Sequence, residues 1–180
     1  YTEISGETMT QDKKALFKSF QANVDYLSDR LGVDESFDLI KLDLEYADTK
    51  MALFLVDGFA KDELLHYIMK YLSRLERQDL EGDRLTKLIR TYIPHIELDE
   101  VDDLNEAADQ ILAGPAALVV EGINKIILID TRTYPARSPE EPDLERVVRG
   151  SRDGYVETIV FNTSLTRRRV RDRSLRMEYL

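Results

Sequence analysis

Apolar residues recur at helical spacing early in the chain. Leu16, Phe17, Phe20, Val24, Leu27 and Leu31 predict an amphipathic helix over residues 10–31, with Thr10 as N-cap and Gly32 as stop. The period then changes to two. In FDLIKLDLEY, Phe37, Leu39, Lys41, Asp43 and Glu45 share one face of a strand, and Ile40, Leu42, Leu44 and Tyr46 the other. A short ADT turn leads into KMALFLVDGF, a more continuously apolar strand closed by Asp57-Gly58. Residues 61–75 return to helix, with Leu64, Leu65, Ile68, Met69, Leu72 and Leu75 as a wide apolar stripe.

The polar run at residues 79–83 marks a boundary, and residues 84–93 predict a short helix ended by Pro94. A second unit follows. Residues 101–112 predict a helix with Leu104, Ala107, Ala108, Ile111 and Leu112 inward, stopped by Gly114-Pro115. ALVVEGINKIILID reads as a hairpin turning at Glu121-Gly122. Pro135, Pro139 and Pro142 exclude regular structure over residues 131–143. Residues 155–170 are helical and residues 175–180 extended. The predicted class is mixed α+β: two small tandem αβ subdomains, residues 1–83 and 84–180, each with helices packed on a short mixed sheet. DRLGVDESFDL at the end of the first helix is echoed by RRVRDRSLRM near the end of the chain, as if a helix runs into a strand twice. On that pattern, and with Tyr1 in place of an initiator methionine, the sequence reads as a piece of a longer protein whose second unit is cut at its strand.

Composition narrows the function classes. With 180 residues, 43% of them hydrophobic, the chain can bury a sizeable core. It has no cysteine, which excludes disulfides, thiolate catalysis and Cys-based metal sites. No apolar run is long enough to cross a bilayer. The net charge is -10, yet after Thr131 the chain has 11 arginines and no lysine against 8 Asp plus Glu. Arginine makes forked contacts with carboxylates and phosphates that lysine cannot, so this usage predicts specific pairing.

Gly150-Ser151-Arg152-Asp153-Gly154 resembles a phosphate loop only superficially. The P-loop needs Lys and Ser/Thr after its last glycine, and Tyr155 and Val156 follow here. The bland reading, a loop folded back on Glu140, Glu141 or Asp143, is preferred. Three consecutive arginines, Arg167 to Arg169, point in directions about 100° apart on a helix and so form no stripe. No aromatic residues interleave with them, and nucleic acid is not expected as a partner. Internal salt bridges to the acidic first unit, or contacts between subunits, are expected instead. Asp130-Thr131-Arg132-Thr133 lacks the second aspartate of a haloacid-dehalogenase-like phosphatase. His66 and His95 have no metal-binding frame. The residues therefore point to no enzyme, catalytic residue, metal or cofactor.

YIPHIELDEVDDL, ILIDTR, RSPEEPDLERVVRG, RDGYVE, FNTSLTRRRVRD and LRMEYL together resemble the A subunits of GerA-type spore germinant receptors. The match is densest over residues 129–175. Ser151 stands where the family usually has proline, and Asp153 where it often has glutamate. The resemblance implies the soluble N-terminal domain of a receptor subunit, contributing to nutrient sensing and to the signal that triggers germination. It implies B and C subunits as partners, attachment to the inner spore membrane through a further C-terminal part, and a position facing the spore core. Self-association and a small nutrient are further partners to consider. The competing reading is a module that binds an amino acid or sugar directly in a cleft between the two subdomains. For either, the candidate clamp or binding residues are Arg132, Glu140, Glu141, Arg149, Gly150, Arg152, Asp153, Gly154, Glu157, Asn162, Arg168, Arg169 and Asp172.

Overall fold

The computed structural model describes residues 13–60, 62–93, 97–132 and 157–179. Helix α1 (Phe20–Leu31) starts later than its apolar spacing suggests, because Ser19 accepts from the Ala22 N–H and caps it there. The preceding segment is held away from the helix. The buried Asn23 side chain accepts from the Phe17 N–H and donates to the Phe17 carbonyl, and Ala15 bridges to Asp103. Strands β1 (Leu39–Tyr46) and β2 (Thr49–Val56) form a hairpin, with Ala47 and Asp48 both in the left-handed region that a two-residue turn requires.

Helix α2 (Asp62–Leu72) buries only Ile68 and Leu72 of its own residues, while Leu64, Leu65 and Met69 are half-buried. The polar break contains a 3₁₀ turn, Arg77–Leu80, that anchors Leu80 in the core. Helix α3 (Arg84–Lys87) continues as a π turn through Tyr92. Strand β3 (Leu98–Val101) occupies a stretch with no strand signal, LDEV, and shortens the following helix to α4 (Leu104–Ala113). Asp103 caps α4 through two backbone N–H groups and also accepts from Lys14 N–H. The expected hairpin is present as β4 (Ala116–Val120) and β5 (Ile126–Ile129). Helix α5 (Ile159–Arg169) follows, and residues 175–179, expected as extended, form no strand.

The class is α+β as expected. The strands do not form two short mixed sheets: they make one five-stranded sheet, order β1-β2-β4-β5-β3, antiparallel at every pairing. The sheet crosses the polar break at residues 79–83, because β2 pairs with β4. Both faces of this sheet are apolar, so each hairpin needs the other to bury its inner edge. One face packs Leu39, Ala52, Phe54, Val56, Ala117 and Val119 against α1 and α4. The other packs Met51, Leu53, Leu55, Leu118 and Ile127 against α2 and the segment from Leu75 to Ile93. No helix among the described residues is long and apolar enough to cross a membrane.

Candidate functional site: a buried arginine clamp

Helix α5 presents Val160, Ser164 and Arg167 at i, i+4 and i+7, one face of its turns. This face approaches the turn after β2. A Cβ at Gly58, where φ is +78°, would lie 3.0 Å from Val160 Cγ1 and 3.2 Å from Ser164 Cβ. The close approach carries Arg167, in the last turn of α5, into the interior beside the start of β1.

Arg167 and Asp38 are both fully buried. The guanidinium donates from Nε to Asp38 Oδ2 at 2.8 Å and from Nη2 to Oδ1 at 2.9 Å, a forked pair. Nη2 also donates to Ser36 Oγ at 3.1 Å, and Nη1 to the Leu175 carbonyl at 3.1 Å. Ser36 donates its hydroxyl to Asp38 Oδ1 and accepts the Met177 N–H. Asp38 is itself fixed to the sheet, since its carbonyl accepts from the Asp57 N–H. A buried charge survives only when paired and hydrogen-bonded, and this arrangement saturates both partners.

Two further arginines extend the clamp. Arg173 grips Asp109 of α4 with Nε at 2.6 Å and Nη2 at 2.5 Å, and reaches both the side chain and the carbonyl of Asn105. The Asp109 hydrogen bonds push the Arg173 pKa up. Asn105 is held in turn by the Tyr26 hydroxyl of α1. Arg176 donates to Glu35 at 2.6 Å and lies across Gly32, where φ is +69° and any Cβ would overlap the guanidinium. Phe37 stacks on Tyr179 with centroids 3.9 Å apart, and its N–H bonds the Met177 carbonyl. The arm formed by residues 157–179 is thereby tied to the β1 entry, to α1 and to α4. With every carboxylate oxygen of Asp38 engaged by donors, the geometry serves attachment and positioning, not proton transfer.

The sequence candidates distribute unevenly around this clamp. Asp172 belongs to it: its carbonyl is 3.5 Å from Arg167 Nη1, and its carboxylate accepts from the Ser174 hydroxyl and N–H, which hold its pKa down. Arg168 and Arg169 are exposed beside it at the end of α5. Asn162 lies one turn earlier and uses its carbonyl to accept from Thr166, and Glu157 is exposed just ahead of the helix. Arg132 sits elsewhere, forked onto Asp130 and lining a cleft of about 410 Å³ with Glu97, Asp99 and Gln110. Its guanidinium keeps the Asp130 carboxyl below the usual aspartate value. Glu140, Glu141, Arg149, Gly150, Arg152, Asp153 and Gly154 lie outside the described residues.

Sequence reasoning selected Arg168 and Arg169 of the triple arginine and missed Arg167, the buried one. Helix phase alone gave only a weak signal, because Arg167 and Arg168 lie three and four residues after Ser164 and both flank the Val160–Ser164 face. Asp38, Ser36 and Asp109 gave no such signal.

Comparison with known proteins places this architecture. The family described as Bacillus/Clostridium GerA spore germination protein matches residues 25–180. Stage V sporulation protein AF of Bacillus subtilis is 35% identical over 168 residues, 93% of this chain and 34% of that protein. Spore germination protein GerLA of Bacillus cereus is 29% identical over 84% of this chain and 31% of its own length. This chain thus spans about a third of these relatives. The crystal structure of the N-terminal domain of the A subunit of the Bacillus megaterium spore germinant receptor GerK3 shares the fold, with a TM-score of 0.70 over 92% of this chain and 60% of that one, at 15% identity. On the family match across residues 25–180 and the 35% identity, this chain belongs to the GerA family of spore germination proteins.

Proposed function

We propose that this chain is the soluble N-terminal part of a germinant-receptor A-type subunit and that it relays the receptor's state without catalysing a reaction. In this reading it works beside B and C subunits at the inner spore membrane, on the core side. The observation that carries the proposal is the fully buried Arg167–Asp38 pair. It fixes the arm of residues 157–179 to the first hairpin by polar contacts, which have discrete made and broken states. Movement of the sheet and movement of the arm are then coupled. Arg167→Lys keeps the charge but loses the fork. In spores carrying it in the full-length protein, we expect the nutrient response to be delayed or lost while protein level stays near wild type. A normal germination rate at a normal level overturns the proposal.

A second reading has its own support in the cleft lined by Glu97, Asp99, Gln110, Asp130 and Arg132, which is large enough for a small nutrient. Titration of amino acids and sugars, followed by NMR, tests it. Saturable shifts confined to these residues favour it, and their absence at millimolar ligand rejects it.

A further inference from the structure

Helix α2 turns an aromatic and basic face outward. Ile68 and Leu72 are buried against the sheet, while Tyr67, Lys70 and Tyr71 lie on the outer side at i, i+3 and i+4. Arg74 continues that side in the turn that follows, where its N–H bonds the Tyr71 carbonyl. Tyr67 is 54% exposed and Tyr71 37%, two of the few large side chains with apolar bodies that face outward among the described residues. Single exposed apolar residues are ordinary, but two rings one turn apart, flanked by cations, form a patch with a definite chemistry. The Arg74 guanidinium lies 5.6 Å from the Tyr71 ring centroid, with Lys70 exposed on the same side.

The charge of this patch runs against that of the chain. The net charge is -10, yet from Leu64 to Leu75 there is no Asp or Glu. Arg77, at the start of the 3₁₀ turn, adds a third exposed cation, held only by a 3.5 Å contact to the exposed Asp48. Glu76 beside it is engaged in capping that turn and accepts from Gln78. Asp62 and Glu63 lie in the first turn of α2, so the C-terminal end of the helix is the cationic one. An anionic surface repels most of this molecule and attracts it here.

We propose that this face rests on the headgroups of an anionic phospholipid bilayer, with Tyr67 and Tyr71 at the interface and Lys70, Arg74 and Arg77 against the lipid phosphates. Tyrosine rings settle at headgroup level because one end is apolar and the other hydrated. Lysine and arginine stretch their cations to the phosphates while their stems cover apolar surface. Leu64, half-buried beside the rings, widens the apolar part. The contact rests on the membrane attachment proposed above. Three cations and two rings bind too weakly to recruit a free chain, but attachment makes the encounter intramolecular and raises the effective lipid concentration. The fold sets the orientation. Helix α2 packs on one face of the sheet and α1 and α4 on the other. Contact through α2 therefore turns α1, α4 and the arm's grip on Asp109 away from the lipid.

The test uses full-length protein, otherwise free of cysteine, in lipid nanodiscs. Tyr67→Cys carrying a polarity-sensitive fluorophore should be quenched by lipid spin-labelled at the headgroup. The same label at Asp25→Cys, exposed on α1 across the sheet, should not. Quenching should require phosphatidylglycerol in a phosphatidylcholine disc and fall as salt rises. Lys70→Glu with Arg74→Glu should weaken the contact about thirtyfold or more, whereas Lys70→Arg with Arg74→Lys should keep it. Equal quenching at both labels, or quenching indifferent to lipid charge, overturns the proposal. So does a label at Tyr67→Cys that is shielded from water yet unquenched, the sign that a protein covers this face. Protein that does not enter the discs overturns the attachment itself, and this contact with it.

Discussion

The central strands and the C-terminal arm are held by opposite means. Strands β2, β4 and β5 are buried almost without interruption and interlock through Leu, Ile, Val, Phe and Ala side chains on both faces. The arm has one fully buried large side chain, and it is an arginine. Burial of apolar surface is non-directional and tolerates small adjustments, whereas a forked ion pair works in one geometry. The difference teaches that the arm is attached to a finished core by a latch. Such attachments lie at the low end of local stability and open before the rest of the molecule.

The largest effects separate the two regions. Phe54→Ala, in the middle of β2, should cost about 3–5 kcal/mol of global stability by creating a cavity on the α1–α4 face, measured by denaturant unfolding. Arg167→Ala should cost a similar ~3–5 kcal/mol by leaving Asp38 buried and unpaired. Hydrogen exchange tells them apart: Arg167→Ala should expose the amides of residues 170–177 first, with β2 and β4 protected. If both variants lose protection everywhere together, the arm is part of the core and the contrast fails. Replacing both partners, Arg167→Met with Asp38→Leu, should recover most of the stability while abolishing the latch, since an apolar pair carries no unpaired charge.

A middle-sized effect probes the seam between the regions. Gly58→Ala forces a side chain into a positive-φ position within 3.0–3.4 Å of Val160 and Ser164. It should destabilise by about 1–3 kcal/mol and undock α5, read as loss of exchange protection in α5.

The smallest effect tests the acid side. The Asp130 pKa is depressed below 3.8, chiefly by the Arg132 side chain. Its contribution is complete above the unfolded value and disappears as pH falls through the lower folded one. Asp130→Asn should therefore lower neutral stability slightly, by no more than about 1 kcal/mol, and flatten the profile below about pH 4, where variant and wild type converge. An unaltered acid limb would show that the exposed Asp130–Arg132 contact contributes nothing.

Much of this protein is legible in its pattern of apolar positions. The period-two run from Leu39 to Tyr46, the solid apolar runs of β2, β4 and β5, and the helical stripes of α1, α2 and α4 each report burial, which periodicity records directly. Boundaries were less legible where a polar side chain decides them. Ser19 starts α1 through a single hydrogen bond, and Asp103 ends the approach to α4 while holding Lys14. Strand β3 was invisible because LDEV has no apolar alternation; its pairing with β5 makes it a strand.

The sequence by itself determined the α+β class, the two hairpins, the use of arginine for internal pairing and the family, because these rest on local periodicity and on residue types in fixed order. Only the tertiary structure decided that the hairpins merge into one antiparallel sheet, since pairing β2 with β4 is a contact between distant segments. It also decided that Arg167, and neither Arg168 nor Arg169, is the buried one. That choice depends on helix phase against Gly58 and on Asp38 lying 129 positions away in the chain, and no local pattern encodes either.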